Sequence, residues 1–437
     1  MNRPAVFEHN HTVHAMRSRI QLLLIVAAAS LLATACGGGG SAPVATASTP
    51  VALVANQVPV TVEQYSRTMA YPNAPFVTVT VCDASGNCQA IDHVLLDTGS
   101  SGLRLMPGVL NLNLPAQTTS SGAQVAECAQ YGSGYVWGAQ RLATVKMAGE
   151  VASGVPVTVA GDAAVPASAP AGCAATGPSV AQNFGGAFNG ILGIGVTPQD
   201  CGTYCAQTAA GDVYFACTGG TSGSCTATTL AVADQTPNPV IRFASDNNGT
   251  VLDFPAVSGA EQSLTATLTF GIGTQPDNQL GARQVYPMLM NVGFLPAISA
   301  DIAGTSTFAF LDSGTNQLSI TLPGTPPLIG TLGPETLPLG SAASACGVSV
   351  YCPSSPVDLT TILAAPASGN PHITTTLTVS DPTVALQQQL AVIPGFATPP
   401  VSSDYSILGL PFFYGRTVMT AIDGVATPYG SGPFWAF

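Results

Sequence analysis

The stretch HVLLDTGSSGLRLMP, residues 93–107, joins an apolar strand to a carboxylate and a tight turn. The apolar run leads directly into Asp97, and the small residues Thr98, Gly99 and Ser100 follow. A carboxylate at the buried end of a strand is costly unless the protein uses it there. Tripeptides of this kind also close ordinary turns, so the stretch alone leaves a structural and a catalytic interpretation open.

The second half of the chain repeats this pattern as FAFLDSGTNQLSI, residues 308–320. An apolar strand again enters an aspartate, Asp312, and the residues after it are Ser313, Gly314 and Thr315. Two separate matches of aspartate, hydroxyl residue, glycine and hydroxyl residue are much stronger evidence than one.

The tripeptide Ile-Leu-Gly follows both aspartates at nearly the same distance. Its glycine is Gly193, 96 residues after Asp97, and Gly409, 97 residues after Asp312. The shared order and spacing indicate a diverged internal duplication and therefore two related lobes.

The rest of the chain has an all-β pattern. Short runs rich in Val, Thr, Ile, Leu and Phe alternate with turn residues, and the 47 Gly and 35 Pro interrupt the chain too often for long helices. We expect short helices at most, with candidates at residues 237–245 and 358–365.

The repeated aspartate motif resembles that of the pepsin-like aspartic peptidases, over residues 70–437. This resemblance implies two β lobes that each contribute one aspartate to a cleft between them. The segment QYGSGYVWGAQRLATVKMAG, residues 130–149, resembles the flap hairpin of that family, with Tyr131 as the flap tyrosine. The phrases DNNGTVLDFPAV and LTFGIGTQPDN resemble a family of uncharacterised bacterial lipoproteins placed near these peptidases.

Asp97 and Asp312 are therefore the predicted catalytic residues. Two adjacent carboxyl groups cannot both ionise easily, so the pair holds one proton over a wide pH range. The ionised member would take a proton from water, and the protonated member would polarise the scissile carbonyl and protonate the leaving amine. This chemistry needs no metal and no cofactor.

The resemblance also gives roles to the neighbours of the two aspartates. Thr98 and Ser313 would exchange hydrogen bonds across the lobe interface. Gly99 and Gly314 would allow the tight turn. Ser100 and Thr315 would donate to the outer carboxylate oxygens.

One position departs from the family, which often has a Trp seven residues after the first aspartate, whereas this chain has Arg104. We interpret Arg104 as a solvated arginine at a strand end, with a role in specificity as the alternative. The departure supports a second hypothesis, a catalytically inactive lipoprotein that binds a peptide or glycan, or acts as an inhibitor, on the same scaffold.

The chain begins with a predicted lipoprotein signal peptide, residues 1–35. Two arginines precede the apolar run at 22–35, which is about right for a signal-peptide core, and small residues before Cys36 resemble a bacterial lipobox. The resemblance implies that Cys36 carries lipid and that the protein is anchored in the cell envelope. Gly37, directly after this cysteine, resembles the signal that sorts lipoproteins to the outer membrane. A Gly/Ser/Pro/Ala-rich flexible tether, 36–65, would join the anchor to an N-terminal lobe, 66–245, and a C-terminal lobe, 246–437.

Charge and composition restrict the partners. After the leader the chain carries 7 basic and 21 acidic residues, a balance opposite to that of a nucleic-acid binder. We expect a peptide or protein substrate, membrane contact only through the lipid, and a monomer.

Ten cysteines remain after Cys36, an even number that suits up to five disulfides outside the cytoplasm. Cys82 and Cys88 bracket a short hairpin tip, and Cys346 and Cys352 have the same spacing. Cys128 is a candidate partner of Cys173. The pairing of the remaining four cysteines stays open: Cys201, Cys205, Cys217 and Cys225.

Overall fold

The computed structural model describes residues 53–65, 69–184, 186–292, 295–321, 337–338, 350–366, 371–400 and 405–437. The predicted signal peptide, Cys36 and Cys346 lie outside these residues. Within them, no helix is long and apolar enough to cross a membrane.

The described residues are mostly strands. In chain order these are β1 Gln57–Glu63, β2 Met69–Ala70, β3 Pro75–Cys82, β4 Cys88–Asp97, β5 Ser101–Leu105, β6 Gln124–Tyr131, β7 Gly134–Met147, β8 Glu150–Ala160, β9 Gly190–Ile194, β10 Tyr214–Thr218, β11 Ser224–Ala227, β12 Gly249–Asp253, β13 Ser263–Phe270, β14 Val285–Pro287, β15 Leu289–Val292, β16 Leu295–Ile302, β17 Thr305–Leu311, β18 Leu318–Ser319, β19 Leu337–Pro338, β20 Val357–Ala364, β21 His372–Val379, β22 Ala397–Thr398, β23 Tyr405–Leu408, β24 Thr417–Ala421, β25 Ala426–Thr427, β26 Gly430–Ser431 and β27 Phe434–Ala436.

The helices are short, as the density of Gly and Pro predicts. The α-helices are α1 Ala171–Ala174, α2 Val180–Phe184, α3 Thr203–Gln207, α4 Thr383–Gln387 and α5 Leu410–Phe413, and the 3₁₀ turns are Gly220–Ser222, Val232–Asp234 and Pro239–Arg242. The helix predicted at 237–245 is only the last of these turns. The helix predicted at 358–365 is wrong, because that segment is strand β20.

Strand β20 shows why the helix prediction failed. Leu359, Thr361 and Leu363 are buried while Ile362 between them is 40% exposed, which is the alternation of a strand. All eight residues of β20 pair with the Thr-rich β21, whose β-branched side chains suit a sheet better than a helix.

Two large sheets organise the strands. The larger has the order β11-β10-β6-β7-β8-β5-β9-β4-β3-β1-β13-β12-β24-β27-β14, and the second has the order β21-β20-β16-β17-β23-β18-β22 with β15 beside β16. This is the all-β, bilobal arrangement that the duplicated motif predicts. Because the larger sheet runs without a break through strands of both predicted lobes, the boundary between residues 245 and 246 stays a prediction.

The predicted tether extends too far. Strand β1 falls inside 36–65, yet Val58, Val60 and Val62 are buried and all seven residues of β1 pair with β13. The alternation of valine with outward residues places β1 in the sheet, so the tether prediction is wrong for residues 57–63.

Candidate active site

Matching sets of three strands place the two aspartates. In the first half β9, which carries Ile-Leu-Gly, lies between β4 and β5 and runs parallel to β4, so that Asp97 is opposite Gly193. In the second half β23 lies between β17 and β18, and Leu311, the residue before Asp312, is opposite Leu408. Each aspartate therefore stands at the end of a central strand that its Ile-Leu-Gly segment braces.

Four hydrogen bonds join the two aspartate loops. The Thr98 amide donates to Ser313 Oγ at 3.1 Å, and the Ser313 amide donates to Thr98 Oγ1 at 2.9 Å. Each hydroxyl then donates to a carbonyl of the other loop, Thr98 to Leu311 at 3.1 Å and Ser313 to Leu96 at 2.8 Å. Both side chains are buried, so these bonds hold the loops at a fixed separation.

The two carboxyl groups lie next to each other, close enough for the charge of Asp97 to raise the pKa of Asp312. The loops approach so closely that a Cβ added to Gly99 would lie 2.6 Å from Asp312 Cγ, and one added to Gly314 would lie 2.8 Å from Asp97 Oδ1. Only glycine permits this approach at either position.

Backbone and hydroxyl donors orient each carboxylate. The Gly99 amide donates to Asp97 Oδ1 at 2.7 Å, and Ser100 Oγ donates to Asp97 Oδ2. The second aspartate has the same pattern, with donors at Gly314 N (2.9 Å), Thr315 N (3.2 Å) and Thr315 Oγ1 (2.7 Å). The structure thus brings all eight residues of the two predicted motifs to one place.

Proton sharing follows from this geometry. Burial and the neighbouring Asp97 raise the pKa of Asp312 to about 8, although the Thr315 hydroxyl and the Gly314 amide favour its ionised form. The pair therefore retains one proton through the acidic and neutral range, as general acid–base chemistry by two carboxyls requires.

The predicted flap is the hairpin of β6 and β7. Its tip is formed by residues 131–134, where Tyr131 pairs with Gly134, and Tyr131 lines the cavity that contains the two aspartates. Burial raises the pKa of Tyr131, and its hydroxyl has no hydrogen-bond partner within the described residues.

The cavity over the aspartates has a volume of about 220 Å³ and a largely apolar wall. Besides the motif and flap residues, its lining includes Tyr71, Leu95, Val180, Phe184, Phe188, Ile191, Phe310, Tyr405 and Ile407. Tyr71 was not found from the sequence, because it belongs to no motif. Burial and then the charges of Asp312 and Asp97 raise the pKa of Tyr71, which reports its closeness to the pair.

The interpretation of Arg104 as a solvated residue is wrong. Its side chain is 2% exposed, and it donates to Glu127 Oε1 at 2.5 Å and to the Ser101 carbonyl. Glu127 is fully buried and also accepts from Thr158. A guanidinium can be buried in this way because a buried carboxylate compensates its charge.

A second carboxyl completes this cluster. Asp200 Oδ2 lies 3.5 Å from Arg104 Nη2, and Asp200 Oδ1 accepts from the Tyr214 hydroxyl at 2.5 Å. Burial and the charge of Glu127 raise the pKa of Asp200 well above its usual range. Burial also acts to raise the pKa of Glu127, but the charge of Arg104 and hydrogen bonds from Arg104 and Thr158 together lower it. We call Arg104, Glu127 and Asp200 the buried charge cluster.

Four disulfides lie within the described residues. They join Cys82 to Cys88, Cys128 to Cys173, Cys201 to Cys205 and Cys217 to Cys225, which settles the set that the sequence left open. Cys352 is also disulfide-bonded, while its predicted partner Cys346 lies outside the described residues. This use of cysteine is typical of an exported protein, since the cytoplasm keeps thiols reduced.

The topology and the paired aspartates define a bilobal all-β protein of the pepsin-like aspartic peptidase fold. Residues 52–437 match the family described as protein of unknown function (DUF3443), and the chain belongs to that family. Among solved structures it is similar to the aspartic proteinase from Irpex lacteus, with 16% identity and a TM-score of 0.48, over 87% of this chain and 96% of that chain. No curated protein matches the chain. The family carries no assigned activity, so the function must be inferred from the site.

Proposed function

We propose that the protein is an aspartic endopeptidase of the cell envelope that hydrolyses peptide bonds with a water molecule activated between Asp97 and Asp312. The observation that carries the proposal is the close approach of these two carboxyl groups, held by loops that are hydrogen-bonded to each other. Keeping two carboxyl groups adjacent at the base of a cavity lowers stability, which argues against a purely structural role.

The reaction follows from the single shared proton. The ionised carboxylate takes a proton from water, whose oxygen attacks the scissile carbonyl carbon, while the other carboxyl gives its proton to the carbonyl oxygen. When the tetrahedral intermediate collapses, the C–N bond breaks and the amine leaves with a proton from the pair. Tyr131 covers the cavity and excludes bulk water from this step.

The alternative, an inactive binding or inhibitor protein, has less support from the geometry. It would be favoured by widely separated carboxyl groups, whereas the bonded loops hold these two next to each other. Its sequence argument was Arg104 in place of Trp, and that arginine is neutralised by Glu127 rather than presented to the cleft as a free charge.

The test is cleavage of a mixed peptide library by residues 53–437 between pH 3 and 7, with and without pepstatin. We expect cutting that pepstatin inhibits and that Asp97→Asn and Asp312→Asn each abolish. Asp83→Asn is the matched control, because Asp83 occupies an exposed turn in which asparagine accepts the same backbone hydrogen bonds. A folded protein that cuts nothing, or an Asp97→Asn protein that still cuts, would refute the mechanism.

We also propose that lipid on Cys36 anchors the enzyme, in the outer membrane as Gly37 indicates. The support is the sequence of the leader and the disulfides of an exported chain. Mass spectrometry of the N-terminal peptide should show a diacylglyceryl addition, and Cys36→Ser should release the protein from the membrane fraction. An unmodified Cys36 in membrane-bound protein would contradict this anchor.

A further inference from the structure

A second cavity adjoins the aspartate pair under the flap. Its volume is about 330 Å³, within the range of roughly 300–1,000 Å³ that is usual for ligand clefts. It shares Gly99, Ser100, Gln130 and Tyr131 with the cavity over the aspartates. A peptide extended across the pair would therefore present side chains to both cavities.

The linings of the two cavities differ in chemistry. The first is walled by aromatic side chains such as Phe184, Phe188 and Phe310. The second has a mixed lining, which combines Ala129, Val196, Val213 and Pro296 with Ser101, Thr197, Arg104 and Asp200. A large apolar side chain fits the first cavity, but in the second it would cover these polar side chains without pairing them.

The charge balance of the cluster restricts what can enter the second cavity. Arg104 is compensated by Glu127, and burial together with the charge of Glu127 raises the pKa of Asp200 well above its usual range. A carboxylate entering this region would find Arg104 already paired, and an ammonium or guanidinium group would face Arg104. Both cost free energy beside a buried ion pair.

Two residues that line this cavity each carry a buried polar atom without a partner among the described residues. These atoms are Arg104 Nε and the Tyr131 hydroxyl. An unpaired buried donor costs about 1–3 kcal/mol, and an acceptor on a ligand would remove that cost. An uncharged oxygen supplies such an acceptor without disturbing the charge balance.

We propose that this second cavity is a specificity pocket for an uncharged polar side chain of the substrate, an amide or a hydroxyl. The side-chain oxygen accepts from Arg104 Nε or the Tyr131 hydroxyl, and its own hydrogens find acceptors at Thr197 and Ser101. The preferred substrate then combines this polar residue with a bulky apolar residue in the cavity over the aspartates. This inference rests on the proposed function, because it takes the ligand to be a peptide.

The test uses peptides of eight residues in which the scissile bond is reduced to a methylene-amine, so that they bind without being cut. At each position near that bond, one at a time, the peptide carries Gln, Leu, Glu or Lys, which are similar in length but differ in charge and hydrogen bonding. At one position we expect Gln to bind at least about 10-fold more tightly than each of the others, since a paired polar group discriminates by this much or more. Calorimetry or a competition assay measures the four Kd values.

Variants then test whether the Arg104–Glu127 pair causes the preference for Gln. Arg104→Met with Glu127→Gln removes the ion pair while leaving no lone buried charge, and should bring the Kd values for Gln and Leu peptides within about threefold. The matched control is Arg141→Met with Asp162→Asn, another arginine–carboxylate pair of the same lobe that lines neither cavity. This control should keep the full Gln preference.

The outcomes separate the two proposals. Equal binding of Gln and Leu peptides, or a preference for Glu or Lys, by the unmodified protein overturns the specificity pocket even if the enzyme cuts peptides. A Gln preference in a protein that cuts no ordinary peptide supports the pocket and refutes the hydrolase. Peptides that neither bind nor are cut overturn both.

Discussion

The two aspartate loops make the same hydrogen bonds where they contact each other, but the residues packed behind them differ. Across the interface Thr98 and Ser313 make equivalent hydrogen bonds, and each aspartate accepts from its own glycine amide and its own hydroxyl residue. Seven residues after each aspartate the likeness ends, although the strand register is the same: Arg104 lies opposite Ile191, and Ser319 lies opposite Ile407.

The residues behind the loops explain this difference. Arg104 belongs to the buried charge cluster, whereas Ser319 is buried and donates to the Pro399 carbonyl at 3.4 Å. The geometry of the carboxyl pair depends on the loops and the Ile-Leu-Gly strands, which the duplication keeps. The support behind them has diverged.

The largest expected loss of stability comes from replacing Arg104, which lies behind the first aspartate loop. Arg104→Met leaves Glu127 charged and unpaired in the interior, so the free energy of unfolding should fall by about 3–5 kcal/mol. Ser319→Ala at the equivalent position should cost about 1 kcal/mol, because it removes one long hydrogen bond. Urea unfolding of both variants checks this contrast, and equal losses would show that the two supports do not differ in energy.

Adding Glu127→Gln to Arg104→Met should restore most of that stability, since no lone charge then remains. If the double variant is as unstable as the single one, the loss comes from packing of the arginine side chain rather than from the unpaired carboxylate.

The hydrogen bonds between the two loops should contribute equally to stability, whichever loop is changed. Ser313→Ala leaves the Thr98 amide and the Leu96 carbonyl without their partner, and Thr98→Val does the same to the Ser313 amide and the Leu311 carbonyl. Each change should cost on the order of 2–4 kcal/mol, because two buried groups lose a hydrogen bond. Ser306→Ala, at an exposed position of β17, is the control and should be nearly neutral in the same unfolding experiment.

The pH dependence of stability tests the shared proton. The pKa of Asp312 rises from 3.8 to about 8 on folding, so this group lowers stability progressively as pH increases between these values, and fully above pH 8. Asp312→Asn cannot ionise, and relative to the parent it should gain stability at pH 8, by up to about 5 kcal/mol, and nothing at pH 4. Melting curves at both pH values decide the matter, and a gain that is the same at pH 4 and pH 8 would contradict the assignment.

The sequence predicted the residues that the two aspartate loops have in common and missed the residues packed behind them, for a physical reason. Aspartate, hydroxyl and glycine residues must be adjacent in the chain to build one loop, so their pattern is visible locally, and the duplication displays it twice. Arg104 was judged exposed because its partners lie elsewhere, Glu127 23 residues further on and Asp200 after the Ile-Leu-Gly strand. Tyr71 escaped for the same reason, since only the folded chain brings it to the aspartates.

The smallest effect should come from the outer hydroxyls, where the two loops use different residues for one task. Ser100 and Thr315 each donate to the Oδ2 atom of their own aspartate, which favours the ionised form. Asp312 is the member with the raised pKa, and the Thr315 hydroxyl acts to lower that pKa. Thr315→Val should therefore raise it further and move the alkaline limb of the activity profile upward. A hydrogen bond worth about 1 kcal/mol corresponds to a shift of about 0.7 pH units. Profiles of kcat/KM against pH measure the shift, and an alkaline limb that stays in place would show that this hydroxyl does not stabilise the ionised Asp312.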